Sequence, residues 1–257
     1  MSLMKPIPHI QSLRIAAGIA IVLLALPGVA QQKIAKTSES VPSGLTLRAF
    51  DSPAEGRVLL DPMAAEWTKL PVQRIALSRT PRLYDTEAPS ELEITYVDVR
   101  LARAEGKLVV QMTWRDATPD AAQIAKLPTV PTEGRPHKEL TEATDRFFDS
   151  AAVMRPLRTP TEGAWPSLQM GDPGDPVLIY FWNSARGAAL MQAEGRGTTK
   201  RTGETFPAEG IYRDGSWHLA LQLDAIPAGM PLAFAVWNGS QQDRDGRKYF
   251  TTWLKLE

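Results

Sequence analysis

The chain has 257 residues, with 29 basic and 29 acidic side chains and a formal net charge of zero. Both signs are mixed along it, so no basic stripe is available to attract nucleic acid or anionic lipid. Cysteine is absent, which excludes disulfides, thiolate zinc sites, iron–sulfur ligation and the covalent attachment of a c-type haem.

At the N-terminus Lys5 and Arg14 precede an apolar run from Ile15 to Leu26, followed by Pro27 and the small residues Gly28, Val29 and Ala30. This pattern predicts a secretory signal peptide over residues 1–30, cleaved after Ala30. The run is shorter than the roughly 20 residues that cross a bilayer, so no membrane span is expected in the mature chain. One arginine stands where a twin-arginine signal has two, which predicts export of an unfolded chain and insertion of any cofactor afterwards. Residues 31–44 are polar and patternless and read as a tether. The domain is expected over residues 45–257.

Asp61-Pro62 before "MAAEW" predicts a short helix, and a second is expected at Pro119–Lys126. Otherwise strand signals recur between Pro, Gly and Asp turns, as in a mainly β fold, an antiparallel β-sandwich with few short helices. In "KLVVQMTW" the residues Leu108, Val110, Met112 and Trp114 share one face, with Val109, Gln111 and Thr113 on the other. Further strands are predicted at Leu92–Leu101, Val177–Trp182, Trp217–Leu223, Leu232–Trp237 and Tyr249–Leu254. Leu232, Phe234 and Val236 are bulky and alternate with Ala233 and Ala235, small positions that allow a close approach. Residues 128–144 are rich in Pro, Gly, Thr and charge and read as a long surface loop.

Catalytic constellations are missing. His137 lies in the loop and His218 in a strand, and there is no nucleophile elbow, zinc-protease helix or phosphate-cradling glycine loop. No catalytic residue is therefore assigned. Soft donors are better supplied. Met154 ends "FFDSAAVM" after small residues on its own face, and Met170 stands in "SLQMGDPGDPV" just before a strand. A thioether beside small side chains suits an axial position on haem iron, where a flat macrocycle must fit. A lysine could supply the second bond if burial exposed its neutral amine. Lys200, among the glycines of "AEGRGTTKRTG", and Lys248 in the closing turn are the candidates, each against a default of a solvated surface lysine.

An ordered series of segments carries a family resemblance: "LDPMAAEWTKLPV", "VVQMTWRDATPD", "DRFFDSAAVMRP", "QMGDPGDPVLIYFWNSA", "AEGRGTT", "YRDGSWHLAL" and "LAFAVWNGSQQDRDGRKYFTTWLKL". Together they resemble the haem b (gamma) subunits of the type II dimethyl sulfoxide reductase family of periplasmic molybdoenzymes. The resemblance implies a periplasmic β-sandwich holding one non-covalent haem b through a methionine and a lysine. It also implies partners: a molybdenum-cofactor catalytic subunit, an iron–sulfur subunit and a carrier such as cytochrome c. Carried onto this chain, the methionine is Met154 or Met170 and the lysine is nearest Lys200, with Trp114, Phe148, Trp182 and Phe234 expected to line the slot. One departure is Asn183 after Trp182, where several members have lysine. The competing reading is an exported carbohydrate- or ligand-binding β-sandwich without haem, its tryptophans stacking on sugar; a third is a structural subunit that has kept the fold without the cofactor.

Overall fold

The computed structural model describes residues 46–80, 93–121, 147–161 and 164–257. The expected signal peptide, tether, 128–144 loop and His137 lie outside them. Among the described residues no helix is long and apolar enough to cross a membrane.

The strands are β1 (Thr46–Leu47), β2 (Phe50–Asp51), β3 (Gln73–Ala76), β4 (Ser78–Arg79), β5 (Tyr96–Ala104), β6 (Lys107–Arg115), β7 (Ser150–Pro156) and β8 (Val177–Asn183). They continue as β9 (Gly187–Ala193), β10 (Lys200–Arg201), β11 (Ala208–Arg213), β12 (Ser216–Leu223), β13 (Pro231–Trp237), β14 (Tyr249–Phe250) and β15 (Leu254–Leu256). Nine form one sheet, in the order β1-β15-β13-β7-β8-β9-β10 with β14 on β13 and β4 on β14. Six form the other, β11-β12-β6-β5-β2 with β3 on β5. All pairings are antiparallel except the two-residue contacts of β1 with β15 and β2 with β5. The expected mainly β sandwich is therefore observed, with parallel pairing confined to short pieces.

Alternation decides what lies between the sheets. Leu108, Val110, Met112 and Trp114 of β6 meet Ala151 and Val153 of β7, Leu178, Tyr180 and Trp182 of β8, and Leu232, Phe234 and Val236 of β13 in one core. Trp217 stacks on Trp114 at 6.3 Å and meets Trp182 edge-on at 5.2 Å. Gly210 of β11 lies directly beneath Trp182, where a Cβ would come within 2.2 Å of the indole. Only glycine leaves room for that ring.

Two local expectations shift. The "MAAEW" helix is replaced by a four-residue α1 (Gly56–Leu59) and a 3-10 turn at Ala65–Lys69. The Trp67 indole N–H donates to the Leu59 and Asp61 carbonyls, both at 3.1 Å, and folds the chain back before an α-helix can extend. The strand expected at Tyr249–Leu254 is split into β14 and β15. Thr251 lies between them, its N–H donating to the Phe234 carbonyl and its Oγ1 accepting from the Phe234 N–H, both at 2.9 Å.

Candidate functional site

The second face of the nine-stranded sheet is also apolar, and this face builds the site. Because side chains alternate, β13 turns Ala233, Ala235 and Trp237 outward, β7 turns Ala152 and Met154, β8 turns Val177, Ile179 and Phe181, and β9 turns Met191 and Ala193. Register sets Ala233 beside Met154 and Ala235 beside Ala152. The middle of the face is thus a shallow floor of alanines, bounded by Phe181 and Trp237, whose rings meet edge-on at 5.4 Å.

A segment after Ala164 lies over this floor, bringing Trp165, Leu168 and Met170 against it. The indole N–H of Trp253 donates to the Pro166 carbonyl at 2.8 Å and ties the segment down. Met170 is held at φ 75°, a left-handed conformation unusual for a bulky residue, and Gly171 follows at φ 81°. The bend is fastened from both sides: the Gly171 N–H donates to Ser167 at 2.8 Å, and the Met170 carbonyl accepts from the Gly195 N–H at 2.7 Å. A side chain at Gly171 would place its Cβ 2.8 Å from the Asp175 carbonyl. The backbone is strained where it presents a thioether.

Lys248 faces that thioether. Its Nζ lies 3.9 Å from Met170 Sδ and 5.2 Å from the centre of the Trp237 ring. The turn that carries it is anchored, since the Lys248 carbonyl accepts from both the N–H and the hydroxyl of Thr80 at 3.0 Å, and the Trp237 indole N–H donates to the Asp245 carbonyl at 3.2 Å. Burial, and to a lesser degree the charge of Arg196, lowers the Lys248 pKa from the ordinary lysine value. Among the described residues no carboxylate forms an ion pair with it. A desolvated amine and a thioether thus converge on an apolar, alanine-floored face.

The other residues singled out from sequence distribute unevenly. Met154 and Met170 reach the same face, joined by Met191. Lys200 is exposed on β10, paired opposite Gln192. Trp114, Trp182 and Phe234, expected to line a cofactor slot, pack in the inter-sheet core instead, because alternation sends the bulky positions inward and the alanines outward. Phe148 is buried just before β7 and belongs to neither cluster. Asn183 shapes the turn after β8, donating to Ser150 Oγ at 2.9 Å and accepting from the N–H groups of Ala185 and Arg186. Sequence reading left Lys248 as a turn lysine. The signal that could have promoted it is its position directly before Tyr249 and Phe250, at the entry to an apolar strand.

No family model matches the chain. Among curated proteins, it is 26% identical over 204 residues to a protein of Haloferax mediterranei named as a respiratory nitrate reductase heme subunit, covering 75% of this chain and 66% of that protein, just under two thirds of its length. It is 27% identical over 257 residues to the chlorate reductase gamma subunit of Ideonella dechloratans, covering 92% and 95% of the two chains. A third match, 23% identical over 234 residues and covering 81% of this chain and 75% of the relative, is the dimethylsulfide dehydrogenase gamma subunit of Rhodovulum sulfidophilum. By sequence the chain is therefore related to the gamma subunits of the type II dimethyl sulfoxide reductase family.

Proposed function

We propose that this protein is the electron-transfer subunit of a periplasmic molybdoenzyme complex, and that it carries one non-covalent haem b on the outer face of the nine-stranded sheet. The observation that carries the reading is the approach of Lys248 Nζ to Met170 Sδ over a floor of alanines. The names of the relatives, which include a heme subunit and two gamma subunits, support it.

The residues suit the group. When bound, haem supplies a one-electron couple whose potential rises with methionine ligation and burial. Met170 offers a soft thioether that needs no deprotonation. Lys248 must lose its proton to act as a ligand, and burial has already reduced the cost of doing so. Ala152, Ala233 and Ala235 rise little from the sheet where larger side chains would stand, while Phe181, Trp237 and Trp253 make the surroundings apolar. Met154 and Met191 stand on the same face as alternative thioethers.

In this reading the chain relays electrons between an iron–sulfur subunit and a soluble carrier such as cytochrome c, the substrate being handled by the molybdenum subunit. Export through the predicted signal peptide places it in the periplasm, with haem inserted after translocation. The carbohydrate-binding alternative loses its main support, because six of the seven tryptophans are buried and Trp165 is half-buried, leaving no fully exposed tryptophan to stack on sugar.

The test is an absorption spectrum of the protein isolated from a haem-competent periplasm, followed by single substitutions. A Soret band with reducible α and β bands is expected, lost or converted to a high-spin form in Lys248→Ala and Met170→Ala and retained in Lys200→Ala. A folded, colourless wild-type protein would overturn the haem reading. A spectrum sensitive to Met154 or Lys200 instead would reassign the ligands.

A further inference from the structure

The six-stranded sheet also has an outer face, and its residues are not used by the proposed haem site. Outward side chains stand in two cross-strand rows, Arg100 beside Gln111 and Asp98 beside Thr113 beside His218. Leu59 and Trp67 cover the neighbouring half of this face, above Ala102, Ala104 and Val109. The polar rows are left in a cleft of about 310 Å³, together with Met63 and Val72.

Arg100 is fixed in place by neutral partners. Its Nε donates to the Leu70 carbonyl at 3.1 Å and its Nη1 to Gln111 Oε1 at 2.8 Å, and Gln111 is itself held by donating to the Pro62 carbonyl at 2.6 Å. The acid nearest along its strand, Asp98, is already engaged by Arg74 through two hydrogen bonds of 2.8 Å. A half-buried guanidinium thus faces a cleft with no carboxylate bonded to it among the described residues. His218, 3.3 Å from the Thr113 hydroxyl, has its pKa lowered by burial and then by Arg213, with Arg100 contributing in the same sense and Asp214 opposing; Asp98 lines the same cleft, its carboxylate held by Arg74. Val58, Met63 and Val72 are the large apolar side chains exposed among the described residues, and two of the three line this cleft.

We propose that this cleft binds a small aliphatic carboxylate, its oxygens taken by Arg100 and its tail lying against Met63 and Val72. A preset guanidinium pairs with a carboxylate through charge-assisted hydrogen bonds, and the fixed geometry reduces the ordering needed on binding. An amide of the same shape would leave that cation unsatisfied.

The test is titration of the full chain with butyrate, followed through the ring resonances of His218, with butyramide as the neutral control. Saturable shifts with a dissociation constant on the order of 1 mM, the scale for a ligand of this size, and a rise in the His218 titration midpoint are expected for butyrate alone. Arg100→Gln should abolish them. Because Arg100 also braces Leu70 and Gln111, a second variant guards against misfolding: Met63→Asp, at an exposed position, should weaken butyrate about tenfold through like-charge repulsion. Absence of saturable shifts in the wild type, equal response to butyramide, or unchanged affinity in either folded variant would overturn the proposal.

Discussion

The two faces of the nine-stranded sheet are built from the same strands and meet opposite demands. Inward, Tyr180, Trp182, Phe234 and Val236 fill the space against the second sheet. Outward, the same strands present Ala152, Ala233 and Ala235, and the bulk is displaced to a rim of Phe181, Trp237 and Trp253. An interior packed to crystal-like density has no room for a ligand. The other face is floored by methyl groups, with Met170 and Lys248 set against it, and this is the surface proposed for the haem. The same pleat supplies stability on one side and a site on the other.

Removing the amine should break the contrast most completely. Lys248→Ala is expected to eliminate the six-coordinate haem spectrum while leaving the thermal unfolding midpoint of the haem-free protein nearly unchanged, since the side chain has no ion pair among the described residues to lose; absorption and circular dichroism together check this. Gly210→Ala should do the reverse. Its Cβ would meet the Trp182 indole at 2.2 Å, and overpacking of this kind costs about 1–3 kcal/mol. Denaturant unfolding would register that loss, while haem ligation at the outer face should persist in the folded fraction.

Filling the outer floor sharpens the comparison. Ala235→Leu adds bulk beneath the segment that carries Trp165, Leu168 and Met170, where Ala235 is already buried, so overpacking should cost about 1–3 kcal/mol. Haem affinity should fall about tenfold or more, the effect of a misfit worth about 1.4 kcal/mol. Transfer of haem to an acceptor globin would measure it. An unchanged transfer rate would show that the alanines do not form the slot.

The remaining effect, one of pH, concerns the end of the inner core. Asp149 is fully buried and accepts from the Trp217 indole at 2.9 Å, the Gly239 N–H at 2.9 Å and the Asp120 N–H at 2.6 Å. Asp116, also buried, has its pKa pushed up to about 8 by burial first and by the charge of Asp149 second. The folded chain therefore keeps a proton that the unfolded chain releases near the ordinary carboxylate pKa. The unfolded state binds fewer protons between those values, so stability should fall as pH rises through the window from about 4 to 8. Folding near pH 6 should take up about one proton at this site. Asp116→Asn should flatten that slope, as read from unfolding midpoints across the range.

Much of this was legible in the sequence because strand faces are written with period two. "KLVVQMTW" announced a half-buried strand, and Leu232 to Trp237 announced one bulky and one small face. What alternation could not say is which face met the other sheet and which stayed outside. The bulky aromatics were expected around the cofactor, whereas the structure packs Trp114, Trp182 and Phe234 between the sheets and turns the alanines to the other face. Lys200, flanked by glycines, was an attractive sequence candidate, yet it lies exposed on a two-residue edge strand. Lys248 was undervalued because turn lysines are ordinarily solvated, and nothing local to it reveals that burial has lowered its pKa.

The sequence by itself determined the mainly β class, the absence of thiol chemistry, the donor types and the family resemblance, since these depend on composition, short-range pattern and order along the chain. Only the tertiary structure decided that Met170 and Lys248, 78 positions apart, stand 3.9 Å from each other. That meeting depends on the pairing of β14 with β13 and β4 and on a left-handed bend at Met170 fastened to Gly195. Desolvation is a property of the assembled surroundings, so the amine acquires its chemistry only when strands distant in sequence close around it.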